Sequence, residues 1–178
     1  MGIHHMAFAT KDAKATHEFY TRAMGFELVK VEVARSATGF MKHLFYGTGS
    51  EREAMIAFWD IQDPALGDAW ETDISRGLGL PQGLNHLAFS ASDLTDIARR
   101  RERWLSAGHD VLEIDHGWCT SIYTEDPNGI IVEFCVLTQP FTERDKQVAL
   151  ELLHDANPKA ESGYVGRKFY KAADHAKG

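Results

Sequence analysis

Three side chains in this sequence are of types that hold a divalent metal, and two of them stand at matching places in a repeat. Residues 3–12 read Ile-His-His-Met-Ala-Phe-Ala-Thr-Lys-Asp, and residues 84–93 read Leu-Asn-His-Leu-Ala-Phe-Ser-Ala-Ser-Asp. His5 aligns with His86, Ala7 with Ala88, Phe8 with Phe89 and Asp12 with Asp93 at one constant spacing. The third side chain is Glu133, in the middle of the apolar run 131–136. A carboxylate in such a strand is strongly unfavourable unless it is paired or bound to a metal. Its counterpart in the first half is Ala57, so the repeat supplies two imidazoles but one carboxylate. Such a set leaves about three positions open on an octahedral ion and suits iron(II), which takes substrate and dioxygen together. Manganese, zinc, nickel and cobalt are also accepted by these ligand types.

The elements that must position these ligands follow from periodicity. Alternation over 5–10 puts His5, Ala7 and Ala9 on one face of a strand and Met6, Phe8 and Thr10 on the other. The second copy separates His86, Ala88 and Ser90 from Leu87 and Phe89 in the same way. The histidine faces carry small residues and leave space beside each imidazole, while the bulky faces can pack on a helix. A helix is predicted after each strand. The first is capped by Thr10 or Asp12 and closed by Gly25; the second is capped by Asp93 and closed by Gly108. Further strands are expected after each glycine, at 40–47 and 54–61, and at 120–125 and 130–137, the last pair joined by the turn Asp126-Pro127-Asn128-Gly129. Each half therefore reads β-α-β-β-β, and the fold class is α+β.

Module one is expected over 1–62, a Gly-, Pro- and Asp-rich linker over 63–82 and module two over 83–138. A C-terminal extension follows at 139–178, with a capping box from Thr142 to Asp145, a helix to about His154 and a polar remainder from 157. Four curved strands leave one face open. Pairing the modules, within one chain or across a dimer, is expected to bring the His5 and His86 faces toward each other around a metal-binding cavity. Two roles stand open for the tail helix: covering the cavity mouth or forming a dimer contact.

The 178 residues are 44% hydrophobic and 25% charged, ordinary values for a globular protein, with a net charge of −7 and only two cysteines, Cys119 and Cys135. No basic stripe points to nucleic acid, and no apolar stretch is long enough to span a membrane. Two cysteines make no disulfide framework and fit a reducing, cytoplasmic setting, as does the lack of a charged-then-apolar leader. Cys119 carries no sign of thiolate activation, Cys135 shares the face of Glu133 as a small apolar group rather than a metal ligand, and the run Arg99-Arg100-Arg101 reads as a solvated face rather than an anion site.

Over residues 3–137 the paired modules with His5, His86 and Glu133 resemble the vicinal-oxygen-chelate superfamily of glyoxalase I, bleomycin- and fosfomycin-resistance proteins and extradiol dioxygenases. A narrower likeness lies in 114–133. His116, Tyr123, Asp126, Pro127, Gly129 and Glu133 fall in the pattern of the extradiol signature. That resemblance implies an iron(II)-dependent ring-cleavage dioxygenase acting on a catechol-like or other vicinal-oxygen small molecule in a homodimer. It implies that Tyr123 hydrogen-bonds the substrate and that His116 steadies oxygen in the cavity or acts as acid/base. The family's usual acid/base histidine, on a strand before the second metal histidine, is missing from 51–58, and His43 is the only nearby candidate. Ala57 departs from glyoxalase I, which normally uses a fourth protein ligand there. A non-redox lyase, isomerase or epimerase and a ligand-sequestering resistance protein are the rival readings.

Overall fold

A computed structural model describes residues 2–49, 54–159 and 165–175. In chain order the elements are β1 (His5–Thr10), α1 (Ala13–Glu18, continued by a π-helical turn Phe19–Ala23), β2 (Glu27–Arg35), β3 (Phe40–Gly47) and β4 (Met55–Gln62), then α2 (Ile74–Gly77) in the linker. The second half has β5 (His86–Ser90), α3 (Leu94–Ser106), β6 (Val111–Asp115), β7 (Cys119–Glu125) and β8 (Ile131–Leu137). The extension adds α4 (Glu143–His154), β9 (Gly166–Tyr170) and α5 (Ala172–His175). The first sheet has the order β1-β4-β3-β2 and the second β5-β8-β7-β6-β9. In each, the histidine strand pairs parallel with the last strand of its module, β1 with β4 and β5 with β8.

The local signals explain the boundaries. Asp12, not Thr10, caps α1, accepting from the Ala15 amide at 2.9 Å, while the Thr10 hydroxyl is taken by Thr16. Asp93 caps α3 through the Asp96 amide at 2.7 Å, and Gly108, at φ +90°, lets the chain leave that helix in the left-handed region. Thr142 and Asp145 close the expected capping box on α4. The expected polar remainder from 157 falls partly outside the described residues, and within it β9 is a strand that periodicity did not reveal.

One hydrophobic core serves both modules. It joins Tyr20, Phe26, Leu44, Tyr46, Ile56 and Phe58 of the first to Leu87, Ile122, Val132 and Phe134 of the second, with Ile97, Trp104 and Leu105 of α3. Phe26 packs edge-on against Phe89 and Phe134, with ring centroids 5.1 and 6.5 Å apart. The bulky faces of both sheets thus turn into this shared core, where Phe58 packs on Tyr20 of the π-helical turn, Phe134 on Trp104 of α3, and Phe26 bridges the modules. This corrects one expectation: pairing within the chain does not turn the His5 and His86 faces toward each other. Burial of large apolar side chains dominates the free energy of packing, and the small residues beside the histidines offer little area to bury.

Asp126, in the β7–β8 turn, is 4% exposed and ties the halves together. Its Oδ2 accepts the Tyr20 hydroxyl of the π-helical turn at 3.0 Å, and its Oδ1 accepts the amides of Asn128 and Ile130 at 2.8 and 2.9 Å. Gly129, at φ +78°, completes that turn.

Asp96 gathers Arg99 at 2.6 Å, Arg100 at 3.0 Å and the Ser92 amide at 3.1 Å, and Arg101 reaches Glu113 at 2.6 Å. The arginine run therefore pairs with carboxylates. Burial raises the Asp96 pKa, but its bonds to Arg99, Ser92 and Arg100 outweigh that and hold it at about 2, against an ordinary 3.8. A depressed folded-state pKa contributes stability that is present above the unfolded value and is lost as pH falls. The stability of wild type, read by chemical denaturation, should therefore fall as pH drops from about 4 to about 2, and that part of the slope should be missing in Asp96→Asn.

Candidate metal centre

The register of the second sheet fixes what shares a face with Glu133. Ala88, Glu133, Tyr123, Leu112 and Phe169 lie opposite one another in a single row across all five strands. His86 lies one row to one side, opposite Ile131, and Cys135 one row to the other, opposite Ser121. All of these point away from the shared core.

Glu133 is 5% exposed and its Oε2 lies 3.1 Å from His86 Nε2. The other imidazole nitrogen, Nδ1, is 3.0 Å from the Gly83 carbonyl. A carbonyl only accepts, so Nδ1 carries the proton, and a neutral ring then turns its Nε2 lone pair toward the carboxylate. Two electron-pair donors facing each other need a positive charge between them, either a proton on Nε2 or a cation. A backbone acceptor on the far nitrogen is also the usual support of a metal-ligating histidine. This donor set fits a divalent metal.

Tyr123 adjoins the pair directly. It lies opposite Glu133 in the register, and its hydroxyl is 3.1 Å from Nε2 of His116, in the β6–β7 hairpin. Burial lifts the Tyr123 hydroxyl pKa above the ordinary phenol value, and the nearby Glu133 charge adds to the shift while Ser121 opposes it. The hydroxyl thus stays protonated and able to donate. Cys119 is inert as a nucleophile, because burial and the neighbouring Cys135 push its thiol up to about 12.

His5 lies on the corresponding face of the first sheet, with its ring 6.3 Å from His43 and 5.6 Å from Phe45. Its Nδ1 meets Nδ1 of His4 at 2.8 Å. His43 is buried and stacked on Trp59 at 3.8 Å, and its Nε2 has no hydrogen-bond partner. Burial lowers its pKa below the ordinary imidazole value, with His5 adding to the effect. Of the five residues singled out from the sequence, the fold thus brings together His86, Glu133, Tyr123 and His116 and leaves His5 on the other sheet. Among the described residues no three metal-type donors gather in one place. The place of Phe169 in this row was not legible beforehand, because β9 is short and sets Phe169 beside the charged Arg167 and Lys168.

Two β-α-β-β-β modules with an outward-facing histidine on the first strand of each, and a carboxylate beside the second, define a paired-module protein. The chain belongs to the glyoxalase/bleomycin resistance protein/dioxygenase superfamily, whose family model matches residues 2–134. Among solved structures it is similar to a glyoxylase/bleomycin resistance protein/dioxygenase domain from Frankia sp. EAN1pec (20% identity, 77% of this chain and 98% of that one, TM-score 0.59). It is also similar to lactoylglutathione lyase from Agrobacterium tumefaciens (24%, 75% and 92%, 0.51) and to the fosfomycin resistance protein FosX from Listeria monocytogenes (18%, 82% and 98%, 0.54). At these identities the likeness is one of fold. Against curated protein sequences the chain finds no significant match. No helix among the described residues is long and apolar enough to cross a membrane.

Proposed function

We propose that this chain is a divalent-metal-dependent, extradiol-type ring-cleavage dioxygenase acting on a catechol-like vicinal-oxygen substrate, with iron(II) as its metal. The observation that carries the reading is the contact between His86 and Glu133, with the Tyr123–His116 pair set beside it on the same face. The ligands would be His86, Glu133 and His5. Because the His5 face and the His86 face both look away from the core, the third ligand would come from a second copy: the partner subunit's His5 would meet His86 and Glu133 in a homodimer. Two histidines and one carboxylate leave open positions on the ion, and Ala57, at the place of a fourth ligand, adds none.

The metal, when bound, would lower the pKa of the chelating substrate hydroxyls. The remaining work falls to this chain's own groups. Tyr123 donates a hydrogen bond to a substrate oxygen, and His116, 3.1 Å behind it, holds or returns the proton. His43, buried beside His5 with an unused nitrogen, would in a homodimer approach the substrate together with the partner subunit's His5.

Oxygen uptake by anaerobically iron(II)-loaded protein against a panel of catechols tests the reading. Uptake that requires both a catechol and Glu133 is the expected result. Retained iron with no uptake from any catechol would overturn it in favour of proton transfer on an enolisable substrate, assayed with nickel, cobalt, manganese or zinc. Tyr123→Phe removes one hydroxyl without disturbing the ligands, so metal content should stay at the wild-type level while kcat falls by about a hundredfold.

A further inference from the structure

The family match ends at residue 134, and the similar solved structures named above cover 75–82% of this chain while nearly all of their own length is matched. Beyond residue 134 the chain adds β9, which pairs antiparallel with β6 and makes the second sheet five-stranded. Phe169 of β9 stands opposite Leu112, in the row that runs through Tyr123 to Glu133. It is 59% exposed, so it fills no part of the core. It lines a cavity of about 760 Å³ together with Leu112, Ile114, Tyr123 and Ile131.

From these positions we infer that β9 is a specificity wall, and that the substrate carries a second, flat, uncharged apolar group reaching from the metal-side ring to Phe169. The inference rests on the proposed site at Glu133. Strands lie about 4.8 Å apart, so three strand spacings put Phe169 about 14 Å from the Glu133 position. A single ring held at Glu133 covers the Tyr123 end of that row and leaves Leu112 and Phe169 untouched. A biaryl-sized molecule reaches them, and Phe169 offers an aromatic face or edge to its outer ring. Charge selects in the same direction. Among the described residues, Asp110 and Glu125 line the cavity and no lysine or arginine does. Arg167 shares the face of Phe169 in the strand alternation, but lies outside the lining. A carboxylated outer group would meet the two acids without a cation to pair with.

Titration calorimetry on the metal-free full chain tests this with 4-hydroxybiphenyl, phenol and 4′-hydroxybiphenyl-4-carboxylate. Wild type should bind 4-hydroxybiphenyl at least about tenfold more tightly than either of the others, the scale expected for burying one more ring. Phe169→Ala should abolish that preference, Phe169→Tyr should keep it, and Leu153→Ala, an exposed change on α4, should leave it intact. Equal binding of phenol and 4-hydroxybiphenyl by wild type, or a preference that survives in Phe169→Ala, overturns the wall. Tighter binding of the carboxylate overturns the uncharged assignment. These titrations need neither metal nor turnover, so the oxygen-uptake assay judges the chemistry separately.

Discussion

Glu133→Ala should lose its metal while keeping its fold, and a mixture with His5→Ala should regain part of it. Removing the carboxylate takes away one ligand of three and leaves His86 with no partner for its Nε2. Loss of a group that merely supports a ligand already costs 10–100-fold in metal affinity, so loss of a ligand should weaken retention by at least about a hundredfold. Metal analysis after gel filtration, with circular dichroism as the check on folding, reads the effect. His5→Ala should behave alike, although His5 contacts neither His86 nor Glu133 within the described chain. The two variants differ in which half-site they break. In a mixed dimer, the subunit lacking Glu133 still carries His5, and the subunit lacking His5 still carries His86 and Glu133. One complete site forms in each mixed dimer, so random reassortment should restore about one quarter of the wild-type metal content. If the ligands met within one chain, mixing would restore none. Wild-type retention by Glu133→Ala would sink the ligand assignment altogether.

Asp126→Ala should be the most destabilising single change in the family signature, with no direct part in the chemistry. Burial raises the Asp126 pKa, an effect that its bonds from Asn128, Ile130 and Tyr20 oppose. Truncation would strand the fully buried Tyr20 hydroxyl and two main-chain amides in the interior. Each buried polar group left unsatisfied costs about 1–3 kcal/mol, so a total of about 3 kcal/mol or more is expected. For a chain of this size that lowers Tm by about 6–12 °C. Asp126→Asn keeps an acceptor for the two amides and should lose less than half as much, and Tyr20→Phe should lose about 1 kcal/mol. Thermal denaturation of the three variants gives the order. Equal stability of Asp126→Ala and wild type would mean that the tie between the halves carries no weight. The Asp-Pro-x-Gly part of the signature therefore reports on how the β7–β8 turn is fastened to the first module. Glu133, His116 and Tyr123 report on the site.

Much of the architecture was legible because it depends on local rules. The alternation around His5 and His86, the capping aspartates Asp12 and Asp93 and the turn 126–129 each act over a few residues, and each appears where periodicity and turn chemistry put it. The pairing of His86 with Glu133 was legible for a second reason: a buried carboxylate in an apolar strand requires a partner, and the repeat offered one. Other features depend on which surfaces meet, and no local pattern carries that. Phe26, Phe89 and Phe134 bury more apolar area than the alanines beside the histidines, so the bulky faces turn into the shared core and the two histidine faces turn outward. The same long-range choice lets β9 find the free edge of β6 and bring Phe169 into the Glu133 row. By itself, then, the sequence determined the module repeat, the metal-type side chains His5, His86 and Glu133 and the Asp126 turn, since each rests on neighbours in the chain. Only the tertiary structure decided that His5 stands apart from His86 and Glu133 and that the extension walls the cavity, because both follow from the packing of segments distant in sequence.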